Sequence, residues 1–182
     1  MSVPEHLLIH TCCAPCLIAP YHQLKDEGIR LSAFWFNPNI HPVTEYRSRL
    51  NSLQEFAERE GFDLILKDHY GLKEFVRAVA EDIDGRCRWC YEIRLRETAL
   101  TAKEHGCDAW TTTLLYSKYQ KHDLIREIAE RIAHETETAF FYRDWRSLWQ
   151  DGIRMSKEEQ MYRQKYCGCV FSEDDRYQGA KK

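Results

Sequence analysis

Short apolar runs alternate with longer helical patterns along most of this 182-residue chain. Such alternation is typical of an α/β fold, in which a parallel sheet carries helices on both faces. Strands are predicted over residues 6–11, 31–36, 62–66, 108–114 and 138–142, and helices over residues 17–27, 41–60, 72–81, 87–104 and 119–134. A last helix is predicted to open at Ser156, where Glu159 completes a capping-box pattern. Ligands of parallel sheets bind at the carboxyl ends of the strands, which directs the search for a functional site to the residues after each strand.

The chain length fits one α/β domain over residues 1–182. Within it we expect residues 143–182 to supply a C-terminal helix and a Cys-Gly-Cys tail that packs on the active site, with irregular structure from Tyr166 onward. No run approaches the roughly 20 apolar residues of a membrane span, and the first residues lack the basic region of a signal peptide. These observations predict a cytoplasmic protein that has no membrane partner.

The chain contains eight cysteines, and seven of them fall into three groups. Cytoplasmic thiols are mostly kept reduced, so clustered cysteines there indicate metal or redox chemistry rather than disulfides. The groups are Cys12-Cys13-Ala14-Pro15-Cys16, Cys87-Arg88-Trp89-Cys90 and Cys167-Gly168-Cys169. Cys107 stands alone between a helix end and a predicted strand, where we expect a buried small hydrophobe.

The first two groups have features of metal ligands. Cys87 and Cys90, if they open a helix, lie on one face, and the helix N-terminus with the neighbouring arginines favours their thiolate forms. The adjacent Cys12 and Cys13 reach two irons of one cluster more easily than they share one ion. Four cysteine thiolates suit a [4Fe–4S] cluster. The spacing alone leaves a structural zinc site and unligated thiols as alternatives.

The remaining cysteines leave more alternatives open. The glycine between Cys167 and Cys169 permits a sharp turn, so the pair can form a strained, catalytic disulfide. Both thiolates binding a metal, or two unrelated thiols, are the other interpretations. Cys13 and Cys16 also have thioredoxin-type spacing, although the extra Cys12 counts against a simple redox pair. Cys16 is either a further ligand or a packed thiol.

Polar residues after other predicted strands are secondary candidates. His41 follows a turn at residues 37–39 and either lines a substrate site or belongs to a turn and helix cap. Residues 111–113 are all threonine and precede Ser117, Tyr119 and Gln120, which either contact a polar ligand or reflect strand propensity. Residues 86–96 form a local basic patch, with four arginines and one glutamate, on a chain whose net charge is −3.

The sequence blocks HTCCAPC, WFNPNIHPVTEYRSR, CRWCYEIRL, TTTLLYSKYQKHDLI, DWR and YRQKYCGCVFS occur in this order from Leu7 to about Ser172. In these blocks the chain resembles the cobalamin-independent epoxyqueuosine reductase family. The resemblance implies a fold similar to the nucleotide-binding (HUP/PP-loop-like) α/β group. The phosphate-binding loop of ATP-using relatives is replaced by the first cysteine group, so ATP is not expected.

The resemblance also implies a reaction and a set of site residues. Members reduce epoxyqueuosine to queuosine at the wobble position of tRNA, the last step of queuosine synthesis. Transferred to this sequence, Cys12, Cys13, Cys87 and Cys90 are the ligands of a [4Fe–4S] cluster, and Cys167 and Cys169 are a redox-active pair. In a competing version a second, mononuclear iron lies between Cys16 and that pair. The expected partners are tRNA carrying epoxyqueuosine, whose phosphates the basic patch can hold, and an unidentified electron donor.

Two other functions are compatible with the residues alone. A zinc-stabilised RNA-binding module without catalysis would use the same cysteines. An iron–sulfur enzyme that thiolates tRNA would need the ATP loop that this chain lacks. Metal analysis separates the first alternative from the reductase, and sulfur incorporation into tRNA identifies the second.

Overall fold

The computed structural model describes residues 3–179, and it has the predicted α/β architecture. The strands are β1 (His6–His10), β2 (Arg30–Trp35), β3 (Asp63–Leu66) and β4 (Ala109–Thr112). The helices are α1 (Ala14–Asp26), α2 (Val43–Glu60), α3 (Leu72–Val79), α4 (Arg86–Glu104), α5 (His122–Thr136), α6 (Trp149–Glu158) and α7 (Val170–Tyr177), with short 3₁₀ helices at Thr113–Tyr116 and Arg146–Leu148.

The four strands form one parallel sheet in the order β3-β2-β1-β4. The chain moves outward from β1 to β3 and then returns to the other side of β1 through α3 and α4. Right-handed crossovers therefore put α1 and α2 on one face of the sheet and α4 on the other. The direction of winding changes between β1 and β4, and we call the carboxyl ends of these two strands, where open parallel sheets bind ligands, the crevice.

The centre of the sheet is buried on both faces, which explains the unbroken apolar run in β1. Leu7, Leu8 and Ile9 are all fully buried, although neighbouring side chains of a strand point to opposite faces. Trp35 in β2 and Trp110 in β4 are also fully buried. One continuous core therefore encloses the sheet and fixes the positions of the loops that leave β1 and β4.

The predicted fifth strand, at residues 138–142, is wrong. This segment makes only an isolated bridge between Trp110 and Phe140, through hydrogen bonds from Trp110 N to Ala139 O and from Phe141 N to Trp110 O. The reason lies in β4, which ends after Thr112 and tightens into a 3₁₀ helix, so no further backbone groups remain for pairing.

The predicted start of the last helix, at Ser156, is also wrong. Ser156 lies in the last turn of α6, and its hydroxyl donates to Ile153 O rather than capping a helix start. Gly152 hides this helix in the sequence, because glycine is a poor helix former. The tail after Tyr166, predicted to be irregular, contains α7, whose N-cap is Cys169.

Within residues 3–179, no helix combines the length and the apolar character needed to cross a membrane.

Candidate functional site

Three cysteine thiols lie together where β1 ends. The ligand atoms of Cys12, Cys13 and Cys16 are within 4.8 Å of one another, and all three residues are buried. The Sγ atoms of Cys12 and Cys13 are 3.8 Å apart. Cys13 is the N-cap of α1, so the helix start places Cys16 one turn later, above the adjacent pair. Across the crevice, the Thr113 hydroxyl donates to Cys12 Sγ at 3.7 Å and accepts from the backbone N of Cys12 at 3.4 Å.

The triad is built to carry negative charge on one sulfur. Hydrogen bonds from Cys13 and Cys16 hold the pKa of Cys12 well below its usual range. Burial raises the pKa of Cys13, and the hydrogen bond to Cys12 raises the pKa of Cys16. The Cys12 thiolate therefore accepts hydrogen bonds from two thiols, Cys13 and Cys16, which remain protonated. Thiolate is the form that binds soft metal ions, so the triad is chemically suited to hold a metal.

Arg94 connects this triad to the cysteines of α4. Its guanidinium is buried and donates to Cys90 Sγ at 3.4 Å, to His10 Nε2 at 3.2 Å and to Asn37 Oδ1 at 2.8 Å. Its charge also acts on Cys12 and on Cys167. Among residues 3–179 no carboxylate pairs with it. A buried cation needs an anionic partner, and the surrounding thiols are the groups that can supply it.

His10 completes the contacts of Arg94 as a neutral ring. Burial, reinforced by the Arg94 charge, lowers the pKa of His10 to about 3. Because Nε2 accepts the bond from Arg94, the proton lies on Nδ1, which is 2.9 Å from Thr112 Oγ1. His10 therefore orients the guanidinium without adding a second positive charge.

A second buried arginine, Arg49 of α2, holds the C-terminal cysteine segment. Its side chain is 1 % exposed and donates from Nε to Glu45 at 2.7 Å. Nη1 donates to Cys167 O at 2.9 Å and Nη2 to Tyr166 O at 3.0 Å. The same charge acts on Cys12 and Cys13. One side chain therefore fixes the tail beside the thiol triad.

His41 fixes the same segment from its other side. Its backbone N donates to Gly168 O at 2.7 Å, and its Nδ1 accepts from Val170 N at 3.3 Å. Gly168 has φ +145, and a Cβ there would lie 3.1 Å from the Ile40 side chain and 3.2 Å from Arg49 Nη1. The glycine between the two cysteines is therefore required by both backbone conformation and space.

Glutamine amides contact two of the thiols. Gln120 Nε2 donates to Cys167 Sγ at 3.1 Å, and Gln120 Oε1 accepts from the Tyr91 hydroxyl at 2.7 Å. Gln164 Nε2 donates to Cys16 Sγ at 3.2 Å, while its Oε1 is buried without a partner among the described residues. Cys16 is buried, whereas Cys167 is exposed to solvent.

The predicted site residues thus form two neighbouring groups. Cys12, Cys13 and Cys16 make the triad. Cys90 lies against Arg94, and the charges of Cys167 and Cys169 act on it. Burial raises the pKa of Cys90 to about 12, against the effect of Arg94. Cys87 and Cys90 open α4, as predicted, with Cys87 partly exposed. The predicted ligand set, Cys12, Cys13, Cys87 and Cys90, spans both groups and stays a prediction.

The predicted basic patch is only partly available to a ligand, and its role in holding phosphate stays a prediction. Arg94 is buried, and Arg86, Arg88 and Arg96 form ion pairs with Asp175, with Glu127 and with two glutamates, respectively. These pairs connect α4 to neighbouring helices.

Two contributors to the site were not singled out from the sequence. Arg49 is four residues after Glu45, a spacing that indicates an ion pair but not its burial. His10 lies two positions before Cys12, at the end of the correctly predicted strand β1. Its position at the carboxyl end of β1 is the signal that could have identified it.

Comparisons with known proteins identify the family of this chain. The family model described as "Epoxyqueuosine reductase QueH" matches residues 7–175. A protein of Dehalococcoides mccartyi named epoxyqueuosine reductase QueH is 39 % identical over 171 residues, 94 % of each chain. Proteins of the same name are 33 % identical in Thermotoga maritima, over 91 % of this chain and 89 % of the relative, and 34 % identical in Acinetobacter baylyi, over 92 % and 80 %. The chain therefore belongs to the epoxyqueuosine reductase QueH family.

Proposed function

We propose that this chain reduces epoxyqueuosine to queuosine in tRNA. The observation that carries the proposal is the meeting of thiols from three separate segments around two buried guanidiniums, at the crevice between β1 and β4. The reaction removes the epoxide oxygen as water and leaves a carbon–carbon double bond. It consumes two electrons and two protons, so the site must supply both.

The Cys167–Cys169 pair can meet this requirement in a balanced step. When two thiols are oxidised to a disulfide, they release two electrons and two protons, which is the amount that the epoxide consumes. Cys167 is exposed, and Gln120 directs an amide hydrogen at its sulfur. The Tyr91 hydroxyl fixes the orientation of that amide. An electron donor must then reduce the disulfide, which makes such a donor a required partner.

Cys12, Cys13, Cys87 and Cys90 are the proposed ligands of a [4Fe–4S] cluster. The donor set fits, because Arg94 is a buried cation that contacts Cys90 and, within residues 3–179, pairs with no carboxylate. When bound, such a cluster supplies electrons one at a time. Arg94 favours the thiolate forms of Cys12 and Cys90 and remains charged throughout. A second, mononuclear iron held by Cys16 with Cys167 and Cys169 is the competing role for those three thiols.

The proposed substrate places the enzyme in the cytoplasm, where tRNA is modified. The wobble base lies in a single-stranded loop, so presenting it to the crevice requires little unpairing.

Conversion of epoxyqueuosine-containing tRNA by anaerobically prepared protein with a strong chemical reductant tests the proposal. We expect queuosine in the tRNA, and loss of conversion on Cys→Ser substitution at each of Cys12, Cys13, Cys87 and Cys90. Cys107→Ser is the matched control, because Cys107 lies away from the site beside His6 and should leave conversion unchanged. Iron-loaded protein that binds the tRNA and does not convert it would refute the proposal.

One observation favours a second function, a zinc-stabilised RNA-binding module. A tetrahedral ion with metal–sulfur bonds of about 2.3 Å has ligand sulfurs about 3.8 Å apart, which equals the Cys12–Cys13 separation of 3.8 Å. Metal analysis after anaerobic purification separates the two functions. Zinc without iron, together with RNA binding and no conversion, would establish the module.

A further inference from the structure

The loop after β4 reaches the Cys167 segment and is exposed to solvent. Residues 117–121 leave the 3₁₀ helix that follows β4, and within this loop Gln120 contacts Cys167 Sγ at 3.1 Å. A molecule that approaches Cys167 from solvent therefore touches this loop first.

Tyr119 projects from this loop and is 84 % exposed, more than any other large apolar or aromatic side chain of the described chain. Among the aromatic rings of the described chain it packs against Trp149 alone, with centroids 5.5 Å apart and planes at 78°. Its hydroxyl forms no hydrogen bond within residues 3–179. The fold gains little from this ring, which leaves a broad aromatic face open beside the thiols.

Free positive charge surrounds the same place. Lys118 and Lys121 lie in the loop, and Arg163 and Lys165 lie in the segment that leads to Cys167. All four are exposed, and none forms an ion pair in the described part of the chain. The arginines at the start of α4, in contrast, are neutralised by acids. These two segments therefore carry four cations that are not compensated by acids in the described part of the chain.

We propose that residues 117–121 and 161–165 form the surface that holds a single-stranded RNA loop. Tyr119 stacks on an unpaired base, and Lys118, Lys121, Arg163 and Lys165 contact phosphates. This inference rests on the proposed function and adds to it the residues that present the base to Cys167. An aromatic face flanked by cations is a combination suited to unpaired nucleotides, whereas an acidic protein partner needs only the cations.

Binding of an RNA hairpin with the sequence of a tRNA anticodon arm tests the surface. Affinities are measured on anaerobically prepared protein with its own metal. Loss of one base stack by Tyr119→Ala weakens binding by about 5- to 150-fold, and Tyr119→Phe restores it to within about threefold. The control is Tyr177→Ala, which removes another exposed tyrosine, 56 % exposed, on α7. It should bind like the wild type.

The cations are tested by the dependence of affinity on salt. Each phosphate contact contributes about 0.7 to the slope of log K against log salt for single strands. Lys118→Ala/Lys121→Ala and Arg163→Ala/Lys165→Ala should each lower that slope by about 1.4. Lys25→Ala/Lys103→Ala removes two lysines near the ends of α1 and α4, at the opposite edge of the sheet, and should not change it.

The outcomes separate this inference from the function on which it rests. If the wild type converts the tRNA and Tyr119→Ala binds the hairpin with unchanged affinity, the surface is wrong and the function stands. If the cation variants bind RNA normally and lose only turnover with a protein reductant, the surface serves an acidic redox protein, and the inference is overturned. A wild type that binds no RNA contradicts the function itself.

Discussion

Arg49 should be a main structural support of the C-terminal cysteine segment. Methionine is nearly as long as arginine, so Arg49→Met removes the buried guanidinium and keeps the apolar stem of the side chain. The change leaves Glu45 as a buried carboxylate without its cation, although Tyr162 still donates to it. It also removes the donors to Tyr166 O and Cys167 O.

The expected cost follows from these contacts. Removing one partner of a buried ion pair costs about 3–5 kcal/mol, because the remaining charge stays buried and unpaired. For a domain of this size a change of 1 kcal/mol shifts the melting temperature by about 2–4 °C. Arg49→Met should therefore lower the melting temperature by about 6–20 °C. Glu45→Met/Arg49→Met, which removes both charges, should recover part of that loss.

Thermal unfolding of the metal-free protein under reducing conditions measures the effect. Arg59→Met is the matched control on the same helix, because Arg59 is 45 % exposed and pairs with Glu159 at the surface. Exposed pairs contribute about 0–1 kcal/mol, so this variant should melt within about 4 °C of the wild type. A thiol reagent added well below the melting temperature should also label buried Cys169 faster in Arg49→Met. If Arg49→Met and Arg59→Met melt alike and label alike, the proposed anchoring of the tail is refuted.

Three further predictions concern other parts of the fold. Burial lowers the pKa of His41 from 6.5 to about 4, so its contribution to stability is complete above pH 6.5 and is lost as the pH falls toward 4. His41→Asn keeps an acceptor for Val170 N, and its stability, measured by urea unfolding, should decline less steeply over that pH interval. An equal decline in the variant and the wild type would contradict this assignment. Gly152→Ala places a Cβ 2.1 Å from the Tyr116 hydroxyl and should destabilise the protein by about 1–3 kcal/mol in the same assay. Ile132→Ala, at a fully buried position of α5, should cost about 2–5 kcal/mol, and a loss below 1 kcal/mol would mean that α5 does not pack as described.

The parts of the fold that could be predicted from the sequence are those that local patterns determine. The strands β1, β2 and β4 are mostly buried apolar runs, and the helices between the strands end at glycines such as Gly28 and Gly61. The first cysteine group could be located at the sheet edge because a parallel sheet brings its carboxyl ends together. The helical pattern of residues 87–104 predicted that α4 begins at the second cysteine group.

The rest depends on contacts between residues far apart in the sequence. In sequence, Glu45 and Arg49 cannot be distinguished from exposed i,i+4 pairs such as Arg126–Glu130, and the difference comes from a tail that lies 117 to 118 residues away. The helix α7 has eight residues, too few to be stable alone, and it forms where Cys169 caps it and packs with α3.

The distribution of energetically costly groups supports a functional role for the crevice. Replacing a buried charge network with apolar side chains often leaves a protein equally or more stable, so stability alone does not explain Arg49 and Arg94 beside the thiols. Of the five buried polar side-chain atoms without partners in the described part of the chain, three, at Asn39, Thr111 and Gln164, belong to segments that flank the same carboxyl edge. Proteins concentrate such departures from optimal packing where chemistry requires them. A chain selected only for its fold would bury apolar side chains at this edge, as it does throughout the centre of the sheet, and the crevice is therefore the part of the molecule that its function has shaped.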